Sequence, residues 1–160
     1  MFTRLTKLIL LYSIICIFFV SCNAQDNSHE ELKVHFIDIG QGDSILIEHN
    51  KKTMLIDTGP KENMNSLMEY LSSRKIKKID YLILTHQHKD HIGNAAEVIY
   101  NFKIGALYMP NVTANTNAFE DLTKAIKIKG LKITRPIAGS SFNFGKAQCF
   151  IFAPNSEVYE

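Results

Sequence analysis

The sequence predicts an α/β protein. Three observations carry that prediction. Short runs of strand character joined by tight turns come first, segments of helical period then alternate with apolar runs, and a histidine-rich stretch falls where one apolar run passes into a helix.

In chain order, Lys33–Asp38, Ser44–Glu48 and Thr53–Asp57 read as three strands, joined by turns at Gly40-Gln41-Gly42-Asp43 and His49-Asn50-Lys51-Lys52. Val34 and Phe36 alternate with His35, so His35 is expected on a strand face; His49 is expected in a turn. Met64, Leu67, Met68 and Leu71 mark one face of a helix over about residues 63–74. The run Arg74-Lys75-Ile76-Lys77-Lys78 then reads as a solvated helix end favoured by the macrodipole, rather than as a nucleic-acid contact. Asp80–Leu84 is an apolar strand, and a helix over 92–102 follows it, with Ile92, Ala95, Ala96 and Ile99 on one face. Ile104–Met109 is a strand stopped by Pro110, and Asn111–Thr116 is a polar loop. Phe119, Leu122 and Ile126 mark a helix over about 117–129, ended by Gly130. Leu131–Thr134, Ser141–Phe144 and Ala147–Phe152 complete the strands, with Gly145-Lys146 as a hairpin turn and Cys149 as a buried thiol.

Chemistry concentrates between the strand at 80–84 and its helix, in Thr85-His86-Gln87-His88-Lys89-Asp90-His91-Ile92-Gly93-Asn94. Imidazole and carboxylate are the usual nitrogen and oxygen ligands of zinc and related divalent ions. In an extended H-x-H, side chains two apart project to the same side, so His86 and His88 can grip one ion. Asp90 and His91 arrive as the chain bends, so they suit a second ion close by or one side of a shared site. Asp90 also suits a plain helix cap. Two adjacent metals make a hydrolytic clamp. Asp57 by itself reads equally well as an ordinary acid before a glycine turn.

Thr85–Gly93 resembles the T-H-x-H-x-D-H-x-G loop of the metallo-β-lactamase superfamily. Val34–Ile47, with its D-x-G-Q-G-D turn, resembles the branch found as the C-terminal domain of ComEC-type competence proteins, and Met54-Leu55-Ile56-Asp57-Thr58-Gly59 is similar to the family's L-I-D-T-G. The resemblance spans about residues 33–153. It implies an αββα sandwich hydrolase with two zinc ions, the first held by His86 and His88 and the second by Asp90 and His91. It also implies that Asp57 steadies the metal loop, and that a zinc-bound hydroxide oriented by Asp90 attacks a phosphodiester or another ester. Asn94 replaces a glycine common in the family and is expected to matter little. The family's further ligands, from a Gly-Asp pair and an H-H-G-S-like loop, find no match: no histidine follows His91, and the only later aspartate, Asp121, follows Glu120. Residues 33–160 are therefore expected to be the N-terminal half of the fold, from a truncated or interrupted reading frame. Such a half is either an enzyme of low activity or an inactive metal-binding module, and it has room for a separately encoded second half as partner.

The 160 residues suit one domain and are short for a complete two-sheet sandwich with helices on both faces. Arg4 and Lys7 followed by the 13 uncharged residues Leu8–Val20 fit a signal peptide over 1–22, and the run is too short for an ordinary membrane span. Val20-Ser21-Cys22 resembles the end of a bacterial lipobox, which implies lipidation at Cys22 and a chain anchored in the bacterial envelope, periplasmic or on the outer surface. Residues 23–32 read as a polar tether. Without Arg4 and Lys7, 16 basic residues balance 16 acidic ones, so net charge steers the chain to no class of partner.

Overall fold

The computed structural model describes residues 31–155. The leader over 1–22 with Cys22, and all but the last two residues of the tether over 23–32, lie outside the described residues. No helix among the described residues is long and apolar enough to cross a membrane.

The described residues form eight strands and four helices: β1 (Lys33–Phe36), β2 (Ile45–His49), β3 (Lys52–Ile56), α1 (Met64–Ser73), β4 (Lys78–Ile83), α2 (Lys89–Ile92), α3 (Ala95–Asn101), β5 (Lys103–Tyr108), α4 (Asn117–Lys129), β6 (Ile133–Thr134), β7 (Ser141–Phe144) and β8 (Ala147–Phe150). A single 3-10 turn, Lys61–Asn63, leads into α1. The first six strands form one sheet in sequence order, antiparallel from β1 to β3 and parallel from β3 to β6, while β7 and β8 form a separate hairpin.

Register explains how the sheet buries one face. Leu46, Leu55, Leu82 and Leu107 are successive cross-strand partners, and each is at most 1% exposed. Leu67 and Leu71 of α1, Val98 and Ile99 of α3, and Leu122 and Ala125 of α4 complete one core with that leucine row. The neighbouring row, Ile45, Ile56, Ile83 and Tyr108, points to the opposite face by the two-residue period of strands. The β7–β8 hairpin covers part of that face. Phe142 stacks on Tyr81 and Tyr108 at 4.8 and 5.2 Å, and Tyr81 donates to the Asn143 carbonyl at 3.0 Å.

Three elements differ from expectation for identifiable reasons. The helix expected over 92–102 is two helices, broken at Gly93-Asn94, where the Asn94 side chain reaches out of the helical path to the Thr58 and Pro60 carbonyls. Asn94 is 1% exposed, so the expectation that it matters little is overturned. The strand expected from Leu131 begins at Ile133, because the Leu131 amide is bound to Ile126 O in the closing turn of α4. His49 is the last residue of β2, buried beside Phe144, rather than a turn residue. Cys149 is half-buried rather than buried.

One polar device sits inside this scaffold. Asp80 is 8% exposed and accepts from the Thr53 amide at 3.1 Å and from Lys52 and Lys78. Burial alone would push its carboxyl up, but the hydrogen bond from Lys78, then the Thr53 amide and Lys52, outweigh burial and hold it below the usual carboxylate range. A depressed folded-state pKa gives stability that is present above the unfolded value and lost as pH falls through the folded one. Urea unfolding should therefore show stability falling below about pH 4. Asp80→Asn should lose about 1–2 kcal/mol at neutral pH and show a flatter acid limb. An unchanged acid limb would remove Asp80 from that role.

Candidate metal centre

Topology gathers the site. Because β3, β4 and β5 are parallel and β1 runs the same way as β3, the turns after all four strands meet at one end of the sheet. Those turns carry Asp43, Asp57, the loop Thr85–His91, and Pro110–Thr116.

Asp57 organises the loop. It sits just past β3 at φ 56° and is 1% exposed. Its Oδ1 accepts from the Thr85 amide at 2.8 Å, and its Oδ2 accepts from Thr85 Oγ1 at 2.6 Å and from His91 Nδ1 at 2.8 Å. The Thr85 hydroxyl has one proton and gives it to Asp57. The 3.0 Å contact between Thr85 Oγ1 and His86 Nδ1 is therefore a bond in which His86 donates. Both His86 and His91 then carry their proton on Nδ1, and the lone pair of each lies on Nε2. This is how a carboxylate fixes the tautomer of a ligating imidazole. Sequence reasoning missed Thr85; its signal was a hydroxyl immediately before the first histidine.

The rings converge. His86 and His91 centroids are 3.9 Å apart, and His86 and His88 are 4.7 Å apart. Gln87, between them, is buried and donates to Pro110 O at 3.3 Å. His91 Nε2 faces Asp90 Oδ2 at 3.8 Å. Burial first, then the repulsion that a protonated ring would meet from His91 and His88, hold the His86 pKa below its ordinary value. Asp90 is the second residue of α2, whose cap residue is His88 with no side-chain capping bond, so a plain capping role for Asp90 is not what the structure shows.

Asp43 also reaches the site and was not singled out beforehand. Potential ligand atoms of Asp43, Asp57 and His91 lie within 4.8 Å of one another. The imidazole atom nearest Asp43 is Nδ1, 3.7 Å away, and that atom already donates to Asp57. The carboxylates therefore support the back of the His91 ring, while its free Nε2 faces Asp90. The turn before Asp43 is clamped to the loop: the Asp43 amide donates to Asp90 O at 3.4 Å, and the Gly59 amide to Asp43 O at 2.9 Å.

Beside His86 and His88 opens an apolar trough of about 940 Å³. Ile56, Ile83 and Tyr108 form its floor, and Phe142, Cys149 and Val112 its walls.

Four ligand candidates, an H-x-H pair and a D-H pair, on one loop at the C-terminal end of a parallel strand make a candidate metal site. The profile of the metallo-beta-lactamase superfamily matches residues 37–150, and the chain belongs to that superfamily. The likeness to competence-operon proteins also holds: the chain is 29% identical, over 79% of its length, to ComE operon protein 3 of Bacillus subtilis, of which the match covers 19%. A shorter match, 44% identical over 30% of this chain and 20% of the relative, joins it to a UPF0173 metal-dependent hydrolase of Staphylothermus marinus. The matched part of the chain thus spans about a fifth of either relative's length. Among solved structures, Rm3 metallo-beta-lactamase superposes with a TM-score of 0.53 at 16% identity, covering 72% of this chain and 46% of that one. A motif mutant of the metallo-beta-lactamase from Cronobacter sakazakii gives 0.53 at 13% identity, over 72% and 48%. At these identities the likeness concerns the fold alone.

Proposed function

We propose that this chain is an envelope-anchored, zinc-dependent hydrolase acting on phosphodiester or other ester bonds, with His86, His88, Asp90 and His91 as metal ligands. One observation carries the reading: Asp57 and Thr85 place the Nδ1 protons of His86 and His91 so that both Nε2 lone pairs are free in rings 3.9 Å apart. The donor set, three imidazoles and a carboxylate, suits zinc. Zinc held there supplies Lewis acidity, bringing the pKa of water toward neutrality and taking up charge that develops on the substrate. His86 and His88 furnish nitrogen donors from one side of the loop, and His91 and Asp90 donors from its bend. Asp90, about one-third exposed, also accepts a hydrogen bond from the attacking water and orients it. Asp57 holds the proton at Nδ1 of His91 throughout. The trough favours an ester bearing a sizeable apolar group, which the aromatic walls shield from water. Cys22, lipidated, ties the chain to the envelope membrane.

A metal-binding interaction module is the second reading. It is favoured by the trough's outer wall, where Phe150 and Phe152 are 58% and 82% exposed and leave room for a partner such as a separately encoded half-domain. Elemental analysis and turnover of a chromogenic phosphodiester separate the two. The enzyme should retain zinc through dialysis, and His88→Ala should lose bound zinc and about a hundredfold or more in turnover. Zinc held without turnover selects the module. No zinc retained, or a His88→Ala variant indistinguishable from the parent, sinks both.

A further inference from the structure

The end of the sheet opposite the histidine loop is a concentration of positive charge. Lys33, Lys52, Lys78 and Lys103 are the first residues of β1, β3, β4 and β5, and these strands run the same way, so four lysines stand at one end. Lys78 and Lys103 are direct cross-strand partners. The turn residue Lys51 and the segment after α1 bring further cations around a hollow of about 580 Å³. Some of this charge is neutralised within the fold: Lys52 and Lys78 pair with Asp80, Arg74 with Glu48, and Lys33 with Glu31. Lys51, Lys75 and Lys77 are exposed and form no ion pair among the described residues. Gathering like charges without structural return is unfavourable, and an external anion offsets it.

The chain's own path indicates which anion. The described fold begins at this end: Glu31 lines the same hollow, and its carbonyl lies 3.5 Å from His49 Nδ1. Glu31 lies nine positions along the chain from Cys22, a span of at most about 30 Å. An anchor at Cys22 thus keeps the lysines within about 30 Å of the headgroups. The histidine loop lies a strand length, roughly 20 Å, farther along the sheet.

We propose that this basic end is a docking surface for the anionic headgroups of the membrane to which Cys22 ties the chain, so that the histidine loop faces away from the bilayer. The proposal rests on the anchor reading above. The acyl chains hold the protein at the membrane, and the lysines set its orientation, since each basic residue near an anionic surface adds attraction that fades within a Debye length. Tethering raises the local concentration, so a modest charge contact suffices.

Backbone hydrogen exchange tests it, on the full chain purified from cells in its processed form. The chain is reconstituted in vesicles of phosphatidylcholine alone or with added phosphatidylglycerol. Exchange over residues 49–52 and 74–78 should slow roughly tenfold or more on the anionic vesicles. High salt should reverse this, and exchange over 85–91 should stay unchanged. The triple variant Lys51→Glu/Lys75→Glu/Lys77→Glu should lose the lipid contrast. The milder Lys51→Gln/Lys75→Gln/Lys77→Gln variant should lose most of it, which guards against a folding defect in the first. Equal exchange on both lipids, or protection at 85–91 instead, overturns the proposal. So does protection of the basic segments by an added DNA duplex on neutral vesicles with none from phosphatidylglycerol, which would make the face a nucleic-acid contact. Intact mass of the same sample reads the anchor separately. An unacylated Cys22 with the lipid contrast intact removes the anchor and keeps the face.

Discussion

Replacing Asp57 with alanine is expected to cost about 3 kcal/mol or more in stability and to weaken zinc binding by about 10–100-fold. The buried carboxylate accepts from the Thr85 amide, the Thr85 hydroxyl and His91 Nδ1, and alanine leaves these donors without acceptors. Alanine must also take up φ 56°, a left-handed conformation that costs about 1–2 kcal/mol for a residue with Cβ and no local polar bond. Asp57→Asn tolerates the backbone and keeps one acceptor oxygen, so it should retain about half of the lost stability. Urea unfolding of the zinc-free proteins gives the stability change, and competitive titration gives the affinity. Imidazole nitrogen shifts add a readout that loss of packing alone would not move. His86 and His91 should both be Nδ1-protonated in the parent and mixed in Asp57→Ala. Unchanged tautomers in the alanine variant would show that Asp57 does not set them.

Gly42→Ala is expected to destabilise the protein by about 3 kcal/mol and to impair zinc uptake, although Gly42 carries no side chain toward the metal loop. Its φ is 143°, and a Cβ there would lie 2.2 Å from Asp90 O and 3.0 Å from Pro60 Cδ. The first contact is with backbone, so the loop that carries the candidate ligands must move. Gly139→Ala isolates the conformational share of this cost, since φ is 84° and nothing lies within 4 Å of an added Cβ. It should cost about 1–2 kcal/mol and leave zinc uptake alone. Equal effects of the two substitutions on unfolding and on bound zinc would mean that the turn does not bear on Asp90.

The strand and helix order was legible in the sequence because period-2 and helical patterns sit in different places. α4 falls on residues 117–129 as read, with Thr116 accepting from the Phe119 amide at its start. The candidate histidine loop stood out from residue types alone. What the sequence concealed is tertiary. Thr85 bonds to a residue 28 positions away along the chain and Asp43 faces one 48 positions away, which no local pattern encodes. The break in the helix after the loop was hidden for the same reason. It depends on the carbonyls of Thr58 and Pro60 meeting Asn94 across the sheet end. His49 was misplaced because a polar residue at a strand end resembles a turn until Phe144 arrives to cover it.

The bonds between 57–60 and 85–94 have a consequence for grafting. Besides the Asp57 contacts, Thr58 N and Oγ1 both donate to His91 O, at 2.7 and 2.9 Å, and Asn94 returns to Thr58 and Pro60. The two segments are a single exchangeable cassette. A chimera that imports Thr85–Asn94 without Leu55–Pro60 brings the ligands but not the acceptors that fix their tautomers, and should chelate zinc no better than a histidine-rich peptide. A recipient given both segments, on parallel strands in the β3–β4 register, should bind zinc more tightly than that chimera.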